Sequence, residues 1–208
     1  MPSRDDQTYE QRRQQIIDGA LEVFARKGFE KATNKDIAQE AGIRSTGLIY
    51  HYFKDKADLL RQVLEQHAPI LQLLNHSEEM MSKPPREVLT ALGQAFLQIV
   101  EHRSAISAAK VMFGESARQP AIADLVNKIG PTRGVSFITM YLTHQIKMGT
   151  LRPINPHAAA RTFIGSLMAF IVMREVFPQP DAQNLSAEEM VATTVAIFLQ
   201  GTEHPNVE

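Results

Sequence analysis

The sequence predicts an all-α fold in two parts, a three-helix N-terminal domain over residues 1–55 and a C-terminal helical domain over 56–208. Three observations predict it. Apolar residues recur at helical spacing in one segment after another, and Gly and Pro punctuate the segments. No strand signal stands out, and no internal repeat is found. Residues 33–56, TNKDIAQEAGIRSTGLIYHYFKDK, read as helix, tight turn, helix and the start of another helix. Two short helices joined this way form a helix-turn-helix, whose second helix can lie in the DNA major groove.

In chain order, residues 1–8 are expected as a mobile arm. Over 9–27, Ile16, Ile17, Ala20, Leu21, Phe24 and Ala25 predict an amphipathic helix that Gly28 ends. Phe29 is expected to fold back as an apolar plug. Thr33 is a good N-cap, and Asp36 three residues later completes a capping box. Ile37, Ala38 and Ala41 give that helix its apolar face, and Gly42 stops it. The turn Arg44-Ser45-Thr46-Gly47 leads into Leu48–Phe53. Asp55 should cap a long helix over 56–74. Ile16, Leu21, Phe24, Ile37, Ile49 and Phe53 make a common core, marginal alone, that leans on the helix after Lys56.

Residues 76–85 are polar, end in Pro84-Pro85 and predict a loop. Helices should follow over 86–102, 104–116, 121–129, 132–148 and 157–176. Ser186 and Glu189 form a second capping box, which opens a last helix to about residue 200. Along 157–176 the apolar surface runs far round the helix: Phe163, Leu167 and Phe170 on one side, Ile164, Met168 and Val172 beyond it. Such a helix is buried on most faces. Gly165 and Ala169, four apart, permit close approach of another helix. Met190, Val191, Thr194 and Phe198 on the last helix offer the matching surface. The pattern predicts a two-fold dimer with two helices from each chain; a helix central to a monomer core is the alternative. A dimer also suits paired DNA half-sites about 34 Å apart.

Composition bounds the rest. At 208 residues and 44% apolar, the chain can bury a core. With no Cys there is no disulfide, thiolate metal site or cysteine nucleophile, which fits the cytoplasm. The first residues lack the apolar segment of a secretory signal. The apolar run over 163–173 is too short for a membrane span and is expected as a buried helix. Net charge is −1, and residues 1–56 hold ten Lys/Arg against nine Asp/Glu. DNA binding must therefore come from local placement of charge.

Residues 37–43, IAQEAGI, then Gly47-Leu48-Ile49-Tyr50-His51-Tyr52-Phe53, then Lys56 and Leu59-Leu60, closely resemble the tetracycline-repressor (TetR) family of bacterial transcriptional regulators. The match rests on residues 12–64; the remainder is similar in architecture and length alone. The resemblance implies a DNA-binding head on a ligand-binding and dimerisation domain, with a palindromic double-stranded operator as partner. It implies that Thr33 and Lys35 face phosphate, and that Arg44, Ser45 and Thr46 reach base edges, Arg44 in place of the small residue expected there. Gly47 would allow close backbone approach. Tyr50 and His51 would lie along the phosphates, and Lys56 would clamp one.

Catalysis is not supported. Leu48 stands where a phosphate-loop Lys is required, Ser45 is misplaced for a nucleophile elbow, and the seven His show no metal-ligand spacing. No cofactor is expected. For the C-terminal domain two readings stand. One is a pocket for a small apolar or aromatic effector, lined by Met112, Phe113, Phe137, Met140, Tyr141, His144, Phe163 and Phe170. The other is a domain that only dimerises or docks a protein.

Overall fold

The computed structural model describes residues 4–203. Among them are thirteen α-helices: α1 (Arg4–Lys31), α2 (Asn34–Glu40), α3 (Gly47–Tyr52), α4 (Lys56–His67), α5 (Pro69–Leu74), α6 (Ser77–Met80) and α7 (Pro85–Leu97). The rest are α8 (Arg103–Ser116), α9 (Pro120–Ile129), α10 (Pro131–Lys147), α11 (Pro156–Ile171), α12 (Pro180–Asn184) and α13 (Ala187–Thr202). A 3-10 turn, Gln98–Glu101, extends α7, and a π turn, Val172–Val176, extends α11. No strand occurs among the described residues; an isolated bridge joins Leu151 to Glu203.

Two compact units result. The first runs to His67 and takes up Glu101–Ile129; the second comprises Ala68–Val100 and the chain from Gly130 onward. This differs from the expected division at 55/56 because α4, α8 and α9 complete the core of the helix-turn-helix. All six expected core residues are buried, and Leu59, Leu60 and Val63 of α4 join them. Ala108 and Met112 of α8 and Ile122 of α9 close the remaining side. Three short helices bury too little apolar surface to be stable alone, so the chain brings back a later segment.

Local signals set most of the ends. The helix-turn-helix turn is a Schellman motif: Ile43 N–H reaches Ala38 O at 2.9 Å, Gly42 N–H reaches Gln39 O at 3.2 Å, and Gly42 has φ +65°. Asp55 Oδ1 accepts the Asp58 N–H at 2.7 Å and caps α4 as expected. Phe29 is buried with its ring 5.7 Å from that of Phe24, as a plug should be.

Three expectations are corrected. Residues 4–8 begin α1 and form no arm; residues 1–3 lie outside the described residues. The helix expected over 56–74 breaks at Ala68, φ −114° and ψ 96°, because Pro69 pushes the preceding residue out of the helical region. The loop expected over 76–85 contains α6, anchored by buried Met80.

In the second unit α7, α10, α11 and α13 pack together. Pro156–Val176 is long and apolar enough to cross a membrane by length and composition alone. Its burial is one-sided: Ala160, Phe163, Leu167 and Phe170 are covered, while Gly165, Met168 and Ala169 are exposed.

Candidate nucleic-acid interface

The reading head starts at the capping box of α2. Thr33 Oγ1 accepts the Asp36 N–H at 3.2 Å, and Asp36 Oδ2 accepts the Thr33 N–H at 3.1 Å. The Thr33 hydroxyl also donates to Asp36 Oδ2 at 2.8 Å, and Lys27 Nζ lies 2.7 Å from Oδ1. Lys27, and then Thr33, lower the Asp36 carboxyl to a pKa of about 2. The hydroxyl proton of Thr33, expected to meet phosphate, is thus held by a carboxylate. Lys35, one turn position on, is exposed.

The turn and α3 present the expected base-reading residues to solvent. Arg44, Ser45, Thr46 and Gly47 are all exposed. Ser45 Oγ accepts the Gly47 N–H at 3.2 Å, whereas Thr46, the N-cap, makes no side-chain cap bond. Its hydroxyl is left for another partner. Ile49 and Phe53, four apart, point into the core. Tyr50, 61% exposed, and His51 face outward. His51 is held by aromatic neighbours: its ring lies 5.3 Å from Tyr52 and 6.2 Å from Tyr9. Tyr9 packs on Tyr52 at 4.6 Å, so the first turns of α1 brace the end of α3. Tyr9 was not expected in this role, because nothing local ties residue 9 to residue 52.

Lys56 departs most from expectation. Its Nζ donates to Phe29 O at 2.7 Å, Ala32 O at 3.1 Å and Glu30 O at 3.2 Å, and it stands 4.6 Å from the centre of the Phe29 ring. An ammonium has three donors, and all three are engaged by the turn that follows the break of α1 at Gly28, φ +81° and ψ 171°. Lys56, expected to clamp a phosphate, staples that turn in this structure. From the other side, Glu115 of α8 accepts the Phe29 N–H at 2.8 Å. That contact also lay beyond the sequence reading.

The residues expected to line one apolar pocket are divided between the two units. Met112 belongs to the core of the first unit, and Phe113 is 65% exposed. In the second unit Phe137, Tyr141, Phe163 and Phe170 are buried, His144 is half-buried, and Met140 is 53% exposed. Phe137 and Tyr141 pair at 6.2 Å, but Phe163 pairs with Phe198 at 5.5 Å. Tyr141 donates to Lys83 O at 2.7 Å, and burial, with Glu87 nearby, raises its phenol above the usual range. An open cleft of about 600 Å³ does occur in the first unit, with a mixed lining in which Leu21, Ala41 and Ala105 stand beside Asp18, Glu22, Glu40, His67 and Arg103.

The residues expected at a dimer interface divide. Gly165, Met168 and Ala169 are exposed, and Ile164, Val172 and Met190 are half-buried. Val191, Thr194 and Phe198 instead face this unit's own core, where Val191 packs over Gly93 of α7. Helical periodicity then turns Ala192, Thr193, Ala196 and Ile197 outward, Ile197 being 67% exposed.

Known proteins match both parts of the chain. A family model described as "Bacterial regulatory proteins, tetR family" matches residues 16–63, and one described as "AefR-like transcriptional repressor, C-terminal domain" matches residues 87–201. The chain is 30% identical over 199 residues to the HTH-type transcriptional regulator HbdR of Aromatoleum sp. (strain CIB), spanning 94% of this chain and 84% of that one. It is 26% identical over 190 residues to the HTH-type regulator YvkB of Bacillus subtilis (strain 168), spanning 89% and 94%. Two solved structures share the fold. FadR from Bacillus subtilis in complex with stearoyl-CoA has a TM-score of 0.70 at 20% identity over 90% of this chain and 98% of that one. The SmeT–triclosan complex, from Stenotrophomonas maltophilia, has 0.72 at 19% identity over 95% and 94%.

Proposed function

The chain belongs to the TetR family of bacterial transcriptional regulators, and from that premise we propose that it is a homodimeric, cytoplasmic repressor that binds a palindromic operator and is released by a small apolar or aromatic ligand. The observation that carries the DNA reading is the two-sidedness of α3 and its turn. Ile49 and Phe53 anchor the helix in the core, while Arg44, Ser45, Thr46, Gly47, Tyr50 and His51 stay exposed. An Arg at the start of such a helix can fork onto a guanine, and the hydroxyls and Tyr50 can meet bases and phosphate. Lys35 adds a phosphate contact from α2. The protein performs no catalysis and uses no metal or cofactor in this reading.

Dimerisation is supported by the exposed apolar strip of α11, with Gly165, Met168 and Ala169, beside the outward face of α13. An isologous contact across a two-fold axis would cover both strips and set the spacing of the two heads. A ligand acts by preferring one head spacing, and a coupling of about 1–3 kcal/mol suffices. Two fold relatives carry small-molecule ligands in their solved complexes, stearoyl-CoA with its long acyl chain in FadR and triclosan in SmeT.

One observation favours a second reading, a C-terminal domain that only dimerises or docks a protein. Phe137 pairs with Tyr141 and Phe163 with Phe198, and Met140 is largely exposed. Selection of bound duplexes from a random pool tests the DNA reading: enrichment of a palindrome supports it, and recovery of no preferred sequence overturns it. Thermal shift against a hydrophobic library separates the two readings of the C-terminal domain. A ligand that raises the melting temperature and weakens operator binding supports the effector; a library without such a compound supports the second reading.

A further inference from the structure

Glu115 is a carboxylate buried in the first unit, 7% exposed, and the DNA-facing surface makes no use of it. A charge removed from water is costly unless hydrogen bonds replace its hydration. Here the replacement comes from main chain 86 residues away. Glu115 Oε2 accepts the Phe29 N–H at 2.8 Å, and Oε1 stands 3.5 Å from the Glu30 nitrogen, a weaker second contact. The chain enters this turn through Gly28, at φ +81° and ψ 171°, a conformation that L side chains rarely adopt. A Cβ at position 28 would overlap the same carboxylate and stand 3.2 Å from Val111.

The carbonyl side of the turn is held by the opposite charge. Lys56 takes the oxygens of Phe29, Glu30 and Ala32. Phe29 thus offers its N–H to an anion and its C=O to a cation, and the two charges are joined through a single residue of backbone. Thr33, which caps α2, follows directly. The direction of α2 fixes the Schellman turn at Gly42 and Ile43, and that turn aims Arg44, Ser45 and Thr46.

We propose that Glu115 is a positioning residue for operator recognition: together with Lys56 it forms a backbone-bridged ion pair that fixes the entry of α2 and so the aim of the recognition helix. The inference rests on the DNA-binding reading above. If Glu115 merely added stability, its loss would lower the melting temperature and weaken every duplex alike, because the Phe29 N–H is left unpaired. A positioning role instead requires the acceptor at Phe29.

The test uses the full-length protein, a duplex selected from a random pool and an unrelated duplex. Glu115→Gln keeps an acceptor and the shape, and should hold affinity for the selected duplex within about threefold. Glu115→Met fills the space without an acceptor. It should melt below the parent but stay folded, and lose roughly tenfold in affinity for the selected duplex, with the unrelated duplex and the salt slope unchanged. Should the Met variant fail to fold, Glu115→Asp, which keeps the charge but retracts it by one methylene, should show the same selective loss in smaller degree. Parent-like affinity of Met or Asp, or an equal loss on both duplexes, overturns the proposal. A parent that prefers no duplex overturns the DNA-binding reading itself, an outcome distinct from the failure of Glu115 alone.

Discussion

Lys56 Nζ lies 2.7 Å from the carbonyl oxygen of Phe29 and 4.6 Å from the centre of its ring, so one ammonium grips both the backbone and the side chain of a residue 27 positions earlier. The contact changes what a substitution there should do. Lys56→Ala frees three carbonyl oxygens and removes a cation from an aromatic face, and should destabilise the first unit by on the order of 2 kcal/mol. Affinity for the selected duplex should fall more than for an unrelated one, with no change in the salt slope. A phosphate contact would behave otherwise, lowering the slope by about one unit. Measurement of melting and of affinity from low to high salt separates the two; an unchanged melting temperature with a reduced slope would return Lys56 to the DNA face.

Asp36 contributes to the acid limit of the head. Lys27, with Thr33 second, brings its folded pKa from 3.8 down to about 2. A carboxylate whose pKa is depressed on folding stabilises the fold fully above its unfolded value, and that contribution is lost as pH falls through the folded one. Stability should therefore be constant in this respect above pH 4 and decline between about pH 4 and 2. Asp36→Asn should flatten that part of the profile, read as melting temperature against pH. An identical decline in the Asn variant would assign the titration to other carboxyls.

What the sequence conveyed and what it hid follow one rule: signals confined to one helix or one turn were legible. The box at Thr33 and Asp36, the stop at Gly42 and the cap at Asp55 all involve residues within five positions, and each forms as expected. Contacts across long sequence separation were not. The Glu115 bond to Phe29 and the Tyr9 contact with Tyr52 have no local correlate. A trace of the first was present, since Glu115 stands three residues after Met112 and seven after Ala108, on the apolar stripe of α8. An acid on such a stripe must find a partner. The interface residues show the complementary error: apolar character identified α13 as a packing helix, but only the fold decides that Val191, Thr194 and Phe198 face inward.

Arg44 and Tyr50 should separate base reading from phosphate contact. Arg44→Ala should cost about 1–3 kcal/mol on the selected duplex and relax preference at one base pair per half-site. Tyr50→Phe removes only a hydroxyl from an exposed ring and should weaken all duplexes alike. Repeating the pool selection with each variant shows the difference directly. A uniform loss for Arg44→Ala would make it a phosphate contact, and unchanged binding in both would remove α3 from the groove.

The outward faces of α11 and α13 set the last expectation. Met168 and Ile197 are exposed, so Met168→Asp and Ile197→Asp should leave each chain folded. An isologous interface repeats any substitution on both sides of its axis, so one mutation places two carboxylates in the contact. Each variant should sediment as a monomer and should lose preference for the full palindrome over a single half-site. Val191→Asp is the contrasting case. Val191 packs over Gly93 inside the unit, and an unpaired carboxylate there should cost at least ~3 kcal/mol and unfold the chain rather than divide a dimer. A folded monomer from Val191→Asp would move the interface to the inner face of α13. Intact dimers from both surface variants would move it away from these two helices altogether.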